Sequence, residues 1–315
     1  MPPFGRSRVQ PPTEEERRAA EVDLERIRQG GIPLGAEQRL KRVAAAGTPF
    51  FTSDLSAKEY ALAQAGGLQP VAQVMGSSVV QHGWIGARSV YYATGEIAAL
   101  AAPWNLARSR AFDRLRQEAE LCGADGVIGI EMTAGNLGDA GNVELVVFGT
   151  AVRDGTLPAQ RRAGAAQVGM CTLSGQDVDK LRRIGAEVCG VVGHTTVLSV
   201  QLGMNSSWVM NAGGLLGGGG ARMNVEITEI AQGVYDARDR VMAEVRRQAA
   251  AVGANDIVVS MLKHTIEHYE YEQAAYRYHY FHVTMNVLGT AIRLGAREPH
   301  PAPLSRPMTT INLGA

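Results

Sequence analysis

His264, His268, His279 and His282 fall within nineteen residues near the end of a 315-residue chain that holds seven histidines in all. Neutral imidazole offers one lone pair per ring, so two facing histidines beside a carboxylate suit Zn²⁺, Ni²⁺ or Cu²⁺. The stretches on either side of Glu272-Gln273-Ala274-Ala275 alternate in character, as the two strands of a hairpin do. A turn over those four residues sets Tyr271 opposite Tyr276 and His268 opposite His279, with Cβ atoms about 5 Å apart. Glu270 then faces Arg277, and His264 lies two pairs further in on the same face, past Ile266–Phe281. His282 falls on the other face, beside Thr265, with Tyr269, Tyr271, Tyr276, Tyr278 and Tyr280. The candidate metal ligands are therefore His264, His268 and His279. A competing reading takes the same residues as an amphipathic surface, since His and Tyr tolerate both water and a neighbouring subunit. Packing or partner contact, with Tyr269 and Tyr280 at its centre, is the leading reading and metal binding the alternative. A slip of one residue in register would undo the His268–His279 pairing.

Other chemistry is sparse. The run Gly213-Gly214-Leu215-Leu216-Gly217-Gly218-Gly219-Gly220 has neither the spacing of a P-loop nor that of a dinucleotide fingerprint. A loop with an apolar tip is the better reading, and Trp208, Leu215 and Leu216 become candidate contact residues. No HExxH and no GxSxG occurs. Cys171 and Cys189 lie near His194 in sequence, but strand and core packing account for them more simply than a nucleophile does. No catalytic residue and no organic cofactor is expected.

The elements that must hold these residues are written twice. Val71–Gly76 answers Val188–Gly193, Gly123–Ile128 answers Gly253–Val258, and Gly149–Arg153 answers Gly289–Arg293, at offsets of 117, 130 and 140. The growing offset puts thirteen extra residues in Gln201–Asn224 and ten in Lys263–His282, both taken as connections onto which binding is grafted. Each copy opens with a short helix, at Ser56-x-x-Glu59 and at the weaker Ser174-x-x-Asp177. A β-rich run follows, Val71–Val80 and Val188–Val200. Then comes a long amphipathic helix, about Glu96–Cys122 and Glu226–Val252, and two closing strands. Ala111, Leu115, Ala119 and Cys122 share one stripe, as do Val241, Val245, Ala249 and Val252, and Pro103 should kink or restart the first helix. Glu96 matches Glu226 and Arg108 matches Arg238, which fits capping, dipole or inter-subunit roles before catalysis. Ahead of the repeat, Thr13–Gln29 and Ala36–Ala46 read as helices.

The fold class is α+β: two tandem β-α-β-β modules, each a small antiparallel sheet on one long helix, after N-terminal helices. The expected division is 1–49 helical, 50–155 first module, 156–168 linker, 169–295 second module and 296–315 proline-rich tail. Lys+Arg and Asp+Glu balance at 31 each, so no net field draws nucleic acid or an anionic membrane. Three cysteines without CxxC spacing fit a reducing compartment. With no apolar leader and no span of membrane length, a soluble cytoplasmic protein is expected.

The strand, the long helix ending in Gly-Ala-Asp-Gly-Val-Ile-Gly at 123–129, and the hairpin closing on Gly-Thr-Ala-Val at 149–152 resemble the YbjQ-like family. Phe50–Leu55, followed by Val74-Met75-Gly76-Ser77-Ser78, resembles its longer tandem members. The resemblance covers about Phe50–Arg153 and Gly169–Arg293. Such domains are often labelled heavy-metal-binding, and the resemblance implies helix-backed sheets that assemble into homo-oligomeric rings, typically pentamers. It supplies no catalytic residues. A small sheet with one helix leaves an edge and an apolar face open, and a second copy can close both. The expected function is a non-enzymatic, ring-forming structural or interaction protein, with a metal-binding or metal-sensing oligomer as the alternative.

Overall fold

The computed structural model describes residues 13–45, 55–81, 94–137, 142–155, 168–203, 206–207, 226–273 and 276–296. Two helices lead, α1 (Glu14–Arg28) and α2 (Leu34–Ala45). The first module runs α3 (Ala57–Ala65), β1 (Leu68–Gln81), β2 (Gly95–Glu96), α4 (Ala98–Leu121), β3 (Gly126–Leu137), β4 (Asn142–Asp154). The second runs β5 (Gly169–Met170), α5 (Gly175–Arg183), β6 (Glu187–Gln201), α6 (Thr228–Ala251), β7 (Asp256–Gln273), β8 (Tyr276–Arg293). Helix starts follow their caps. Thr13 and Ser56 close full capping boxes with Glu16 and Glu59, and Ser174 accepts the Asp177 amide.

The strands form two sheets, ordered β1-β4-β3-β5 and β2-β6-β8-β7, antiparallel except where β3 meets β5. The two short strands are exchanged: β2, from the first module, pairs with β6, and β5, from the second, pairs with β3. The modules share construction in detail. Their long helices have 24 residues each, and Arg153 and Arg293 donate to the carbonyls of Gly123 and Gly253 at the helix stops. A bulge follows Pro70 in β1 and Val188 in β6, leaving Val71 and Cys189 outside the pairing. Val74 pairs with Gly149 and Val192 with Gly289, so the first strands correspond at an offset of 118, not 117. The same offset of 118 relates the helix caps Ser56 and Ser174, so no residue is gained between cap and strand, and the 117 match came from the likeness of Val-Ala-Gln-Val to Val-Cys-Gly-Val one position out of step.

Three further expectations change. The second module's ten added residues lengthen strands instead of a connection: β7 and β8 have 18 residues each, against 12 and 13 in β3 and β4. The chain does not restart at Pro103, since α4 runs unbroken through it. Pro103 is the sixth residue of the helix, and what it removes is one bond of the regular ladder, the amide that would donate to the Ala99 carbonyl. Val252 is 46% exposed and ends its helix outside the core, unlike its counterpart Cys122.

Helix α4 is packed on two sides. Ala107, Ala111, Leu115 and Ala119 press on the first sheet, where Val74, Val143, Leu145 and Val147 are fully buried. Burying each of the larger side chains stabilises by about 1.5–3 kcal/mol. Gly76 permits the approach: a Cβ there would stand 1.9 Å from the Ala111 carbonyl oxygen. Arg108 and Phe112, on the opposite side of α4, are buried against the second sheet. The order of layers is first sheet, α4, second sheet, α6. By contrast α6 buries one stripe only: Gly233, Ala237, Val241, Val245 and Ala249.

Candidate metal centre and the inter-module contact

β7 and β8 pair down to Gln273 with Tyr276, so two residues connect them. Glu270 stands opposite His279, and His268 opposite Phe281. The register thus differs from the one expected from a four-residue turn by two positions, because a two-residue connection matches the twist of the strands better. A shift of two keeps every residue on its face. His268 and His279 therefore remain together, as diagonal neighbours, with Nε2 of one 3.0 Å from Nδ1 of the other. The rings stack at 5.2 Å between centroids, and His268 also lies flat on Phe281 at 4.7 Å.

Glu270 completes the group: one ligand atom from each of His268, Glu270 and His279 lies within 4.8 Å of the others. His279 is buried and its carboxylate neighbour is partly exposed. Burial lowers the His279 pKa, with His268 and Arg277 acting in the same direction and Glu270 opposing them. A neutral ring with a free lone pair is the form that ligates. Two nitrogens on one tetrahedral Zn²⁺ sit about 3.3 Å apart at ordinary bond lengths, close to the separation found. The donor set fits a borderline divalent metal held by two imidazoles and one carboxylate, leaving room for water or another donor. His264 is not part of the group. It lies four residues up the strand from His268, about 13 Å away, exposed and opposite Met285.

The other face of the same hairpin carries aromatics. Tyr269 stacks on Tyr280 at 5.6 Å and tilts against His282 at 4.5 Å. Tyr280 and His282 are buried, and of the two candidate contact tyrosines only Tyr269 is half-buried. His282 pairs with Glu267 and not with Thr265, again through the register shift. Trp208, Leu215, Leu216 and the glycine run lie outside the described residues.

Residue comparison between the copies singled out Glu96 and Arg108 without assigning a partner, and both work between modules. Arg108 donates to Thr195 Oγ1, to Asn286 Oδ1 at 2.9 Å and to Asn105 Oδ1 at 2.5 Å. Burial pushes its guanidinium down to about 10. Asn105 grips the Thr195 backbone twice, donating to its carbonyl and accepting its amide, each at 2.9 Å. Glu96 accepts from the Thr196 hydroxyl at 2.9 Å and meets Arg240 at 3.4 Å. The signal in the sequence was present, as polar residues repeated at one offset; their partners sit about 90 to 180 residues away, beyond any local pattern. The thiols are not activated: burial raises Cys122 and Cys171 to about 11, and Cys189 is raised as well.

A family model described as "Putative heavy-metal-binding", the YbjQ-like family, matches residues 56–154, from the cap of α3 to the end of β4. The chain belongs to this family. It is 32% identical over 213 residues to the encapsulin nanocompartment protein Rv1762c of Mycobacterium tuberculosis, a match covering 66% of this chain and 76% of that protein. That length exceeds either module, so the likeness runs across the inter-module contact. A UPF0145 protein of Halorubrum lacusprofundi is 43% identical over 61 residues, covering 19% of this chain and 58% of that protein. Among the described residues no helix is long and apolar enough to cross a membrane.

Proposed function

We propose that this chain is a non-enzymatic interaction protein, cytoplasmic, that assembles with copies of itself into a ring. The observation that carries the reading is the state of the first sheet. Met75 and Val79 are 42% and 53% exposed on the face turned away from α4, next to a half-buried Phe148. An apolar strip on a four-stranded sheet is a contact surface waiting for a partner. The relative named for an encapsulin nanocompartment supports a role beside a protein shell. The measurement is the native mass of the purified full chain across a concentration series. An assembly of several chains is expected, and a single chain of 33.6 kDa at every concentration would refute it.

A second reading rests on the His268–Glu270–His279 group: the assembly holds or senses a divalent transition metal, Zn²⁺, Ni²⁺ or Cu²⁺. Elemental analysis after equilibration with Zn²⁺ separates the readings. Metal in stoichiometric amount, lost in the His268→Ala/His279→Ala variant, supports it; no retained metal refutes it.

A further inference from the structure

We infer that a second copy of this chain docks head to tail, laying its α6 on the open face of the first sheet as α4 lies on the second. This rests on the self-assembly reading and specifies the surface.

The template is inside the chain. Where α4 covers the second sheet, Thr195 and Val197 of β6 and Leu288 of β8 are 0%, 3% and 1% exposed. At offsets of 118 and 140, which the bulges and pairings set, their counterparts are Ser77, Val79 and Phe148. All three are less buried than the residues they match, and Ser77 and Val79 are exposed. Among the described residues the equivalent position is built and uncovered.

The donor side is also built. Asn105, Arg108 and Phe112 of α4 correspond, at 130, to Tyr235, Arg238 and Met242 of α6. Tyr235 is 64% exposed, Arg238 is exposed and Met242 half-buried. Among the described residues nothing covers Tyr235 and Arg238, while Met242 packs in part against the second core. The receiving face presents Glu131 and Glu144, at positions paired with Phe148 and Gly135, and the helix offers Arg238 and Arg246 beside Asp239 and Glu244. The Glu96–Arg240 pair of the template becomes Glu226 of one copy with Arg110 of the next, both exposed. The outer edge of β1 at Val80, unpaired among the described residues, then lies where β6 receives β2.

One consequence concerns size. A ring closed through this contact contains whole chains, hence an even number of modules. Five modules cannot close it; five chains would place ten.

The test uses the full chain with Cys189→Ala as background. Ser77→Cys and Tyr235→Cys chains are prepared separately, then mixed under mild oxidation. The template for this pair is Asn105 gripping the Thr195 backbone directly. A covalent two-chain species is expected from the mixture and not from either variant alone. Independently, Arg238→Glu, a change on an exposed helix face, should lower the native mass while far-UV circular dichroism stays unchanged. If native mass shows several chains but the mixture yields no cross-link, the surface is wrong while self-assembly stands. Cross-linking within a single variant would replace head-to-tail docking with a two-fold contact and overturn the inference. A single-chain native mass would sink both.

Discussion

Arg108→Ala tests whether the two modules are fastened by a buried cation. The side chain is 6% exposed and donates to oxygens of Asn105, Thr195 and Asn286, with no carboxylate pairing it among the described residues. Truncation leaves Thr195 Oγ1 and Asn286 Oδ1 short of a donor, at about 1–3 kcal/mol each. Asn105 Oδ1 still accepts the Thr195 amide, so it is not orphaned. Relief of the desolvated charge returns part of this loss. The expected cost is about 3 kcal/mol, read as a shift in the urea midpoint at constant slope. Replacing both ends of one bond, Arg108→Met with Asn286→Leu, removes the donor and one of the two orphans and should recover about half of it. Monitoring by circular dichroism and by tryptophan fluorescence shows whether the modules still unfold together. A single variant within about 0.5 kcal/mol of the parent would mean the guanidinium is a passenger in a contact held by apolar packing alone.

Burial lowers the pKa values of His194 and His282 below the ordinary histidine value near 6.5. The unfolded chain therefore binds more protons than the folded one between those values, so stability should fall as pH drops below about 6.5 and level off beneath the folded pKa. His282→Gln should flatten that limb of the urea-midpoint profile, and an unchanged slope would contradict the burial argument. In native protein a thiol reagent at pH 8 should label half-buried Cys189 well before Cys122 and Cys171, whose thiols are held near 11; equal rates would contradict the packing. Leu115→Ala, at the fully buried centre of the α4 stripe, should cost about 2–5 kcal/mol by thermal or urea unfolding.

The repeat, the helix stripes and the caps were legible because they obey local rules: a 3.6-residue period, Ser or Thr before a Glu, Gly after the last turn. Ser56 and Ser174 mark their helices to the residue. The His268–His279 proximity was also legible, since alternation assigns faces whatever the turn length. The exact partners were not, because Gln-Ala-Ala-Tyr contains no Gly or Asn to declare a two-residue connection. The exchange of β2 and β5 left no local trace at all, as two-residue strands have no period to read. Nor did the second buried face of α4: Arg108 and Asn105 look like solvent positions on a helical wheel until the second sheet arrives. The resemblance of Glu96 to Glu226 and Arg108 to Arg238 hinted that these positions mattered; only tertiary packing gave Glu96 and Arg108 partners in the other module and left Glu226 and Arg238 exposed.

Metal and assembly can be separated on this molecule because they occupy different faces. His268, Glu270 and His279 project from the side of the second sheet that carries α6, alongside Phe281 and Val283 of the second core. The inferred receiving surface is on the first sheet, and the docking row lies on the outer side of α6, away from its buried stripe. His268→Ala/His279→Ala removes a hydrogen-bonded ring pair from one hairpin and touches neither surface. Its native mass should therefore equal that of the parent, with and without added Zn²⁺. If chelation or the double variant instead collapses the assembly to single chains, the metal group itself bridges copies. The strand-and-helix contact would then be insufficient, and the two readings of this chain would merge into one.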